Sequence, residues 1–81
     1  MRKLKVGHER LPGIGDVFET ASASGLTVTV VAHRSGRRHL AVGEPDDDQA
    51  LVTVALTRTE ATALATLLTG AQIELITTPR A

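Results

Sequence analysis

Two glycines at Gly13 and Gly15, behind Pro12, form the first group of residues whose spacing suggests chemistry. Glycines so placed open the loops that cradle a dinucleotide pyrophosphate. Such a loop also needs a third glycine and a following helix whose N-terminal amides meet the phosphate. Here Phe18 stands at the third position, VFETAS has no helical stripe, and there is no lysine for a Walker-type loop. Pro12 and Gly13 instead suit the two central positions of a type II turn. LPGIG therefore reads as a structural turn. The second group is HRSGRRH, His33 to His39, with three arginines and two histidines in seven residues. The third is Asp46-Asp47-Asp48 within EPDDD.

Metal chemistry fits none of these groups. A zinc site needs three or four convergent ligands, yet the chain has no cysteine, and His8 lies far in sequence from His33 and His39. A calcium loop of the EF-hand type carries glycine at its sixth position and glutamate at its twelfth. Counted from Asp46, those positions hold Leu51 and Thr57. Ser22, Ser24 and Ser35 fall in turn-like stretches, with nothing to place a base beside them. No catalytic residue, cofactor or metal is expected, and the chain reads as a non-enzyme.

The elements that position HRSGRRH follow from hydrophobic periodicity. LTVTVVAH, Leu26 to His33, alternates cleanly, with Leu26, Val28, Val30 and Ala32 on one face. RSG then reverses the chain into RRHLAVG, and register decides the loop length. A two-residue loop would set Leu40 and Val42 on the face of Thr27 and Thr29. A three-residue loop, Arg34 to Gly36, pairs Val30 with Leu40 and Val28 with Val42, keeping the apolar residues together. It also puts Gly36 in the left-handed position of a bulge turn. His33, Arg37 and His39 then share the other face with Val31 and Thr29, and Arg38 lies across from Ala32. A basic patch of His33, Arg34, Arg37, Arg38 and His39 results, held by turn residues Pro12, Gly13, Gly15 and Gly36.

The remaining chain supplies a strand at Lys3 to Glu9, a short one at Val17 to Ser22, and another at Ala50 to Leu56, with the acidic loop Glu44 to Gln49 before it. TRTE, Thr57 to Glu60, has the spacing of a capping box. It opens a helix over about residues 57–69 whose apolar stripe is Ala61, Leu64, Ala65, Leu67 and Leu68. A helix this short is marginal alone, so the stripe is expected to pack on the sheet. AQIELITT, Ala71 to Thr78, offers a last strand stopped by Pro79. The expected fold is α+β: a small two-layer domain with a mostly antiparallel sheet of five to six strands and one helix packed on it.

Size and charge narrow the partners. At 81 residues the chain is one domain. Domains this small bury only about 60% of their unfolded surface, which favours a homodimer or partner domain. Nine basic side chains balance nine acidic ones, so overall charge points to neither nucleic acid nor membrane. No apolar run reaches the roughly 18 residues that span a bilayer. MRKLKVGHER lacks the apolar stretch of a signal peptide. A soluble, cytoplasmic protein without direct membrane insertion is expected. The basic patch is open to three readings: an ordinary solvated hairpin end, a contact for a protein partner, or a small nucleic-acid-binding surface. The last usually interleaves aromatics for base stacking, and Phe18 is the only aromatic residue. A stand-alone dimeric ligand-binding domain is a further alternative. Histidine ordinarily changes charge near neutrality, so His33 and His39 could make a contact pH-sensitive.

Taken together, LPGIG followed by FET, HRSGRRHLAV, EPDDD and LTRTEATALATLL resemble the N-terminal domain of KhtT-like regulatory subunits. The resemblance runs from about Arg10 to Gly70. Those subunits are TrkA-C-containing partners of potassium/proton antiporters of the monovalent cation:proton antiporter-2 class. The resemblance implies a regulatory module at the cytoplasmic face, peripheral to the membrane through its antiporter partner, that adjusts potassium efflux. In that family cyclic di-AMP binds the C-terminal TrkA-C domain. This chain stops at Ala81, where that domain would begin, so no cyclic di-AMP site is carried to any residue here. The expectation is a single N-terminal module over 1–81, without the TrkA-C domain, acting by protein–protein contact.

Overall fold

Alternation of β-branched residues with small or polar ones makes most of the chain one sheet. The structure, a computed structural model, describes residues 5–70. Its strands are β1 (Val6–Leu11), β2 (Gly15–Ala21), β3 (Thr27–His33), β4 (Arg38–Gly43) and β5 (Val52–Leu56), and the helix α1 (Arg58–Leu68) follows. Each strand lies antiparallel beside its sequence neighbour, in the order β1-β2-β3-β4-β5. The architecture is the expected small α+β domain, with five strands and one helix among the described residues.

The register across β3 and β4 is the one that apolar pairing predicts. Val30 faces Leu40 and Val28 faces Val42. The Gly36 amide donates to the His33 carbonyl and the His33 amide to the Arg37 carbonyl, both at 2.9 Å, closing the three-residue loop. The same loop length appears between β1 and β2. Leu11 faces Gly15 across Pro12, Gly13 and Ile14, and the Ile14 amide donates to the Leu11 carbonyl at 3.0 Å. Gly13 has φ 78°, a conformation that suits the second central position of a type II turn. This pairing carries β1 on to Leu11 and starts β2 at Gly15, where alternation alone suggests Glu9 and Val17. Leu51 stays outside β5, although its amide donates to the Val42 carbonyl at 2.8 Å.

One face of the sheet gathers Val28, Val30, Leu40, Val42, Val52 and Val54, with Phe18 and Val6 beyond them. Cross-strand apolar pairs of this kind contribute roughly 0.2–1 kcal/mol each. Among the described residues no apolar side chain is fully buried, and Phe18, Val52 and Val54 are exposed.

The capping box of α1 forms as its spacing predicts. Thr57 Oγ1 accepts from the Glu60 amide at 3.1 Å, and Glu60 Oε1 accepts from the Thr57 amide at 2.9 Å. The helix packs mainly against β5, the strand it follows. The stripe is therefore only partly covered: Ala61 and Leu64 are half-buried, while Ala65, Leu67 and Leu68 are exposed. The expected strand at Ala71 to Thr78 with its Pro79 stop, and Arg2, Lys3 and Leu4 at the other terminus, lie outside the described residues.

Candidate partner-binding end of the sheet

The turns at Pro12–Ile14 and Arg34–Gly36 lie at the same end of the sheet, because β2 and β3 run antiparallel and pair Gly15 with His33. The Arg34 amide donates to the Ile14 carbonyl at 2.9 Å and ties one turn to the other. Glycine makes the approach possible. Gly15 is buried at φ 152°, and a Cβ there would stand 1.9 Å from the Ala32 carbonyl oxygen. Gly36 is buried at φ 101°, and a Cβ there would meet the Arg58 guanidinium, 3.0 Å from Nε. Two of the four glycine and proline positions assigned to turns thus also set how closely neighbouring groups approach.

All five residues of the basic patch converge on this end, but in different states. Arg38 is half-buried. Its Nη1 donates to the Gly36 carbonyl at 3.0 Å, the Arg37 carbonyl at 3.1 Å and, more weakly, the His33 carbonyl at 3.4 Å. Those bonds engage Nη1 with the backbone of the turn and give this guanidinium a structural role there. Arg34 and Arg37 are exposed, and neither has a carboxylate partner among the described residues. His33 is half-buried and His39 exposed on the opposite face from the apolar one. His33 Nε2 and His39 Nδ1 lie 2.9 Å apart with the rings edge-on at 86°. One ring nitrogen must donate and the other accept for that bond to exist.

Four further residues join this end without standing out in the sequence. Arg10 faces Asp16 across β1 and β2. His8 Nε2 lies 2.8 Å from Asp16 Oδ1, and its ring stacks on Phe18 with centroids 4.8 Å apart and planes at 17°. Arg58, at the start of α1, rests against the Gly36 turn. Apolar pairing does not pick out this register from the sequence, since Val6 faces Thr20 and Val17 faces Glu9 across β1 and β2. An open depression of about 560 Å³ lies beside the first turn, lined in part by Arg10, Leu11, Pro12 and Arg34.

The acidic loop lies at the other end of the sheet. Asp47 Oδ1 accepts from the Gln49 amide at 2.9 Å, a local Asx-type turn. Among the described residues no three histidine, cysteine, aspartate or glutamate side chains converge as metal ligands. Ser22 and Ser24 hydroxyls bond to each other at 2.6 Å within their turn. Among the described residues no helix is long and apolar enough to cross a membrane.

The sequence model of one family, described as the K(+)/H(+) antiporter subunit KhtT, N-terminal domain, matches residues 4–72. No curated protein matches the chain.

Proposed function

The chain belongs to the family of KhtT N-terminal domains, and on that premise we propose that it is a non-enzymatic module of a potassium/proton antiporter subunit that acts by protein–protein contact. The observation that carries this reading is the stitched end of the sheet. Two turns are locked together there, and Arg34 and Arg37 are presented without carboxylate partners among the described residues. A turn whose backbone is already fixed loses less entropy when a partner arrives, and arginine is the residue best suited to a carboxylate contact. In this reading the module works in the cytoplasm, held at the membrane's inner face by the antiporter, and adjusts cation exchange. Self-association as a homodimer is part of the same reading, supported by the exposure of Val6, Phe18, Val52 and Val54 on one face.

The role of each patch residue follows from its state. Arg34 and Arg37 meet the partner, Arg38 holds the turn that presents them, and His33 and His39 form the floor beside them. Co-purification of the antiporter with the tagged module tests this. The wild-type chain is expected to retain the antiporter, and Arg34→Glu/Arg37→Glu to lose most of it. Equal recovery would remove these arginines from the contact.

A further inference from the structure

Two arginines, Arg10 and Arg34, line the depression beside the first turn, and neither has an ion-pair partner among the described residues. The carboxylate in its wall, Asp16, already accepts from His8 through Oδ1 at 2.8 Å. The depression therefore carries two positive charges against one negative charge, a net excess of positive charge, with Asp16 standing across from Arg10 on the neighbouring strand. Leu11 and Pro12 give it an apolar side. Its shape is fixed from both turns: the Arg34 amide is anchored on the Ile14 carbonyl, and Gly15 is pressed against the Ala32 carbonyl.

We propose that this depression is a binding site for the carboxylate side chain of an acidic peptide segment in a protein partner. Guanidinium forks match a carboxylate geometrically and bond it with charge-assisted hydrogen bonds. The apolar side accommodates the methylenes of a glutamate or a neighbouring leucine. Asp16 in the wall discriminates by charge, since a phosphate dianion brings a second negative charge toward it. That the partner is the antiporter rests on the reading above; the carboxylate preference rests on Arg10, Arg34 and Asp16.

The test is an amide NMR titration of the full chain with the capped peptide acetyl-Leu-Glu-Glu-Leu-amide. The glutamine analogue and inorganic phosphate serve as comparison probes at matched ionic strength. The acidic peptide is expected to give saturable shifts at Gly13, Gly15, Asp16 and Arg34, with the glutamine peptide at least about tenfold weaker. Arg10→Gln and Arg34→Gln should each weaken the acidic peptide about tenfold, the loss of one charge-assisted contact, with the remaining spectrum unchanged. Asp48→Asn, at the far end, should bind as wild type. Equal binding of the glutamine peptide, tighter binding of phosphate, or wild-type affinity in both arginine variants would overturn the proposal. Peptide binding without antiporter co-purification would leave the site and remove the antiporter reading. Co-purification without peptide binding would do the reverse.

Discussion

The two ends of the sheet carry opposite charge and are built by opposite means. At the basic end, backbone joins backbone between separate turns: the Arg34 amide reaches the Ile14 carbonyl, and Arg38 ties down three carbonyls of its own hairpin. At the acidic end, each loop bonds to itself or to its own strands. The Ser22 amide donates to the Leu26 carbonyl at 2.7 Å, and the Asp47 amide to the Glu44 carbonyl at 3.2 Å. Among the described residues no backbone bond joins the β2–β3 turn to the β4–β5 loop. A contact surface is ready-made only where turns are stitched. Arginines on stitched turns keep their spacing, whereas carboxylates on a self-contained loop are ordinary solvated charges, worth little in fixed pairs.

Glycine substitutions probe the two ends most severely. Gly15→Val would drive a side chain into the Ala32 carbonyl, where even a Cβ stands at 1.9 Å. It should cost about 3 kcal/mol or more and separate the two hairpins, read by urea unfolding. At the other end, Gly25 sits at φ 91°, and a methyl added there would meet nothing within 4 Å. Gly25→Ala should therefore introduce only backbone strain, about 1 kcal/mol. Similar costs at both positions would mean that the stitching contributes nothing.

Neighbouring arginines give a second contrast, within the basic end alone. Arg38→Ala removes a guanidinium bonded to the Gly36 and Arg37 carbonyls and should cost about 2 kcal/mol in urea unfolding. Exposed Arg37, substituted by alanine, should stay within about 0.5 kcal/mol of wild type. Antiporter co-purification should show the direct effect at Arg37. A larger stability loss at Arg37 than at Arg38 would contradict the division into holding and presenting roles.

The same division bears on what the sequence makes legible. The β3–β4 register follows from Val28, Val30, Leu40 and Val42, because a single face must stay apolar, and that constraint fixes Gly36 and the patch with it. The capping box is legible for a similar reason: Thr57 and Glu60 satisfy each other within one turn. The depression is not read from any local pattern. Arg10 and Arg34 are distant in sequence, and they meet only because Gly15 lets β2 approach β3 and two turns finish level with each other. Arg38 looks like a surface charge in HRSGRRH, since nothing in its type reveals that its Nη1 donates to the backbone of the turn. The helix stripe shows the converse limit. Periodicity marks Leu67 and Leu68 as apolar-face residues, but the area of sheet they meet depends on where α1 leaves β5.

A gentler perturbation separates the two histidine contacts, which lie on opposite faces of the sheet. The His33–His39 bond needs one ring nitrogen without a proton, since two imidazolium rings have only donors to offer. His8 faces a carboxylate instead, and a proton on its ring turns a hydrogen bond with Asp16 into a charge-assisted one. Protonation of both hairpin rings would therefore break the first contact, and protonation of His8 would strengthen the second. Imidazole nitrogen NMR checks this directly. The His33 and His39 signals should lose their mutual coupling, while those of His8 keep a bonded signature that Asp16→Asn weakens. Both contacts are at least partly exposed, so the change in overall stability should stay below about 1 kcal/mol. A coordinated response of all three rings would mean that the two faces are not independent. Loss of the His33–His39 bond alone would place any pH response of the contact surface in the β3–β4 hairpin, beside Arg34 and Arg37, and leave the Asp16 wall of the depression intact.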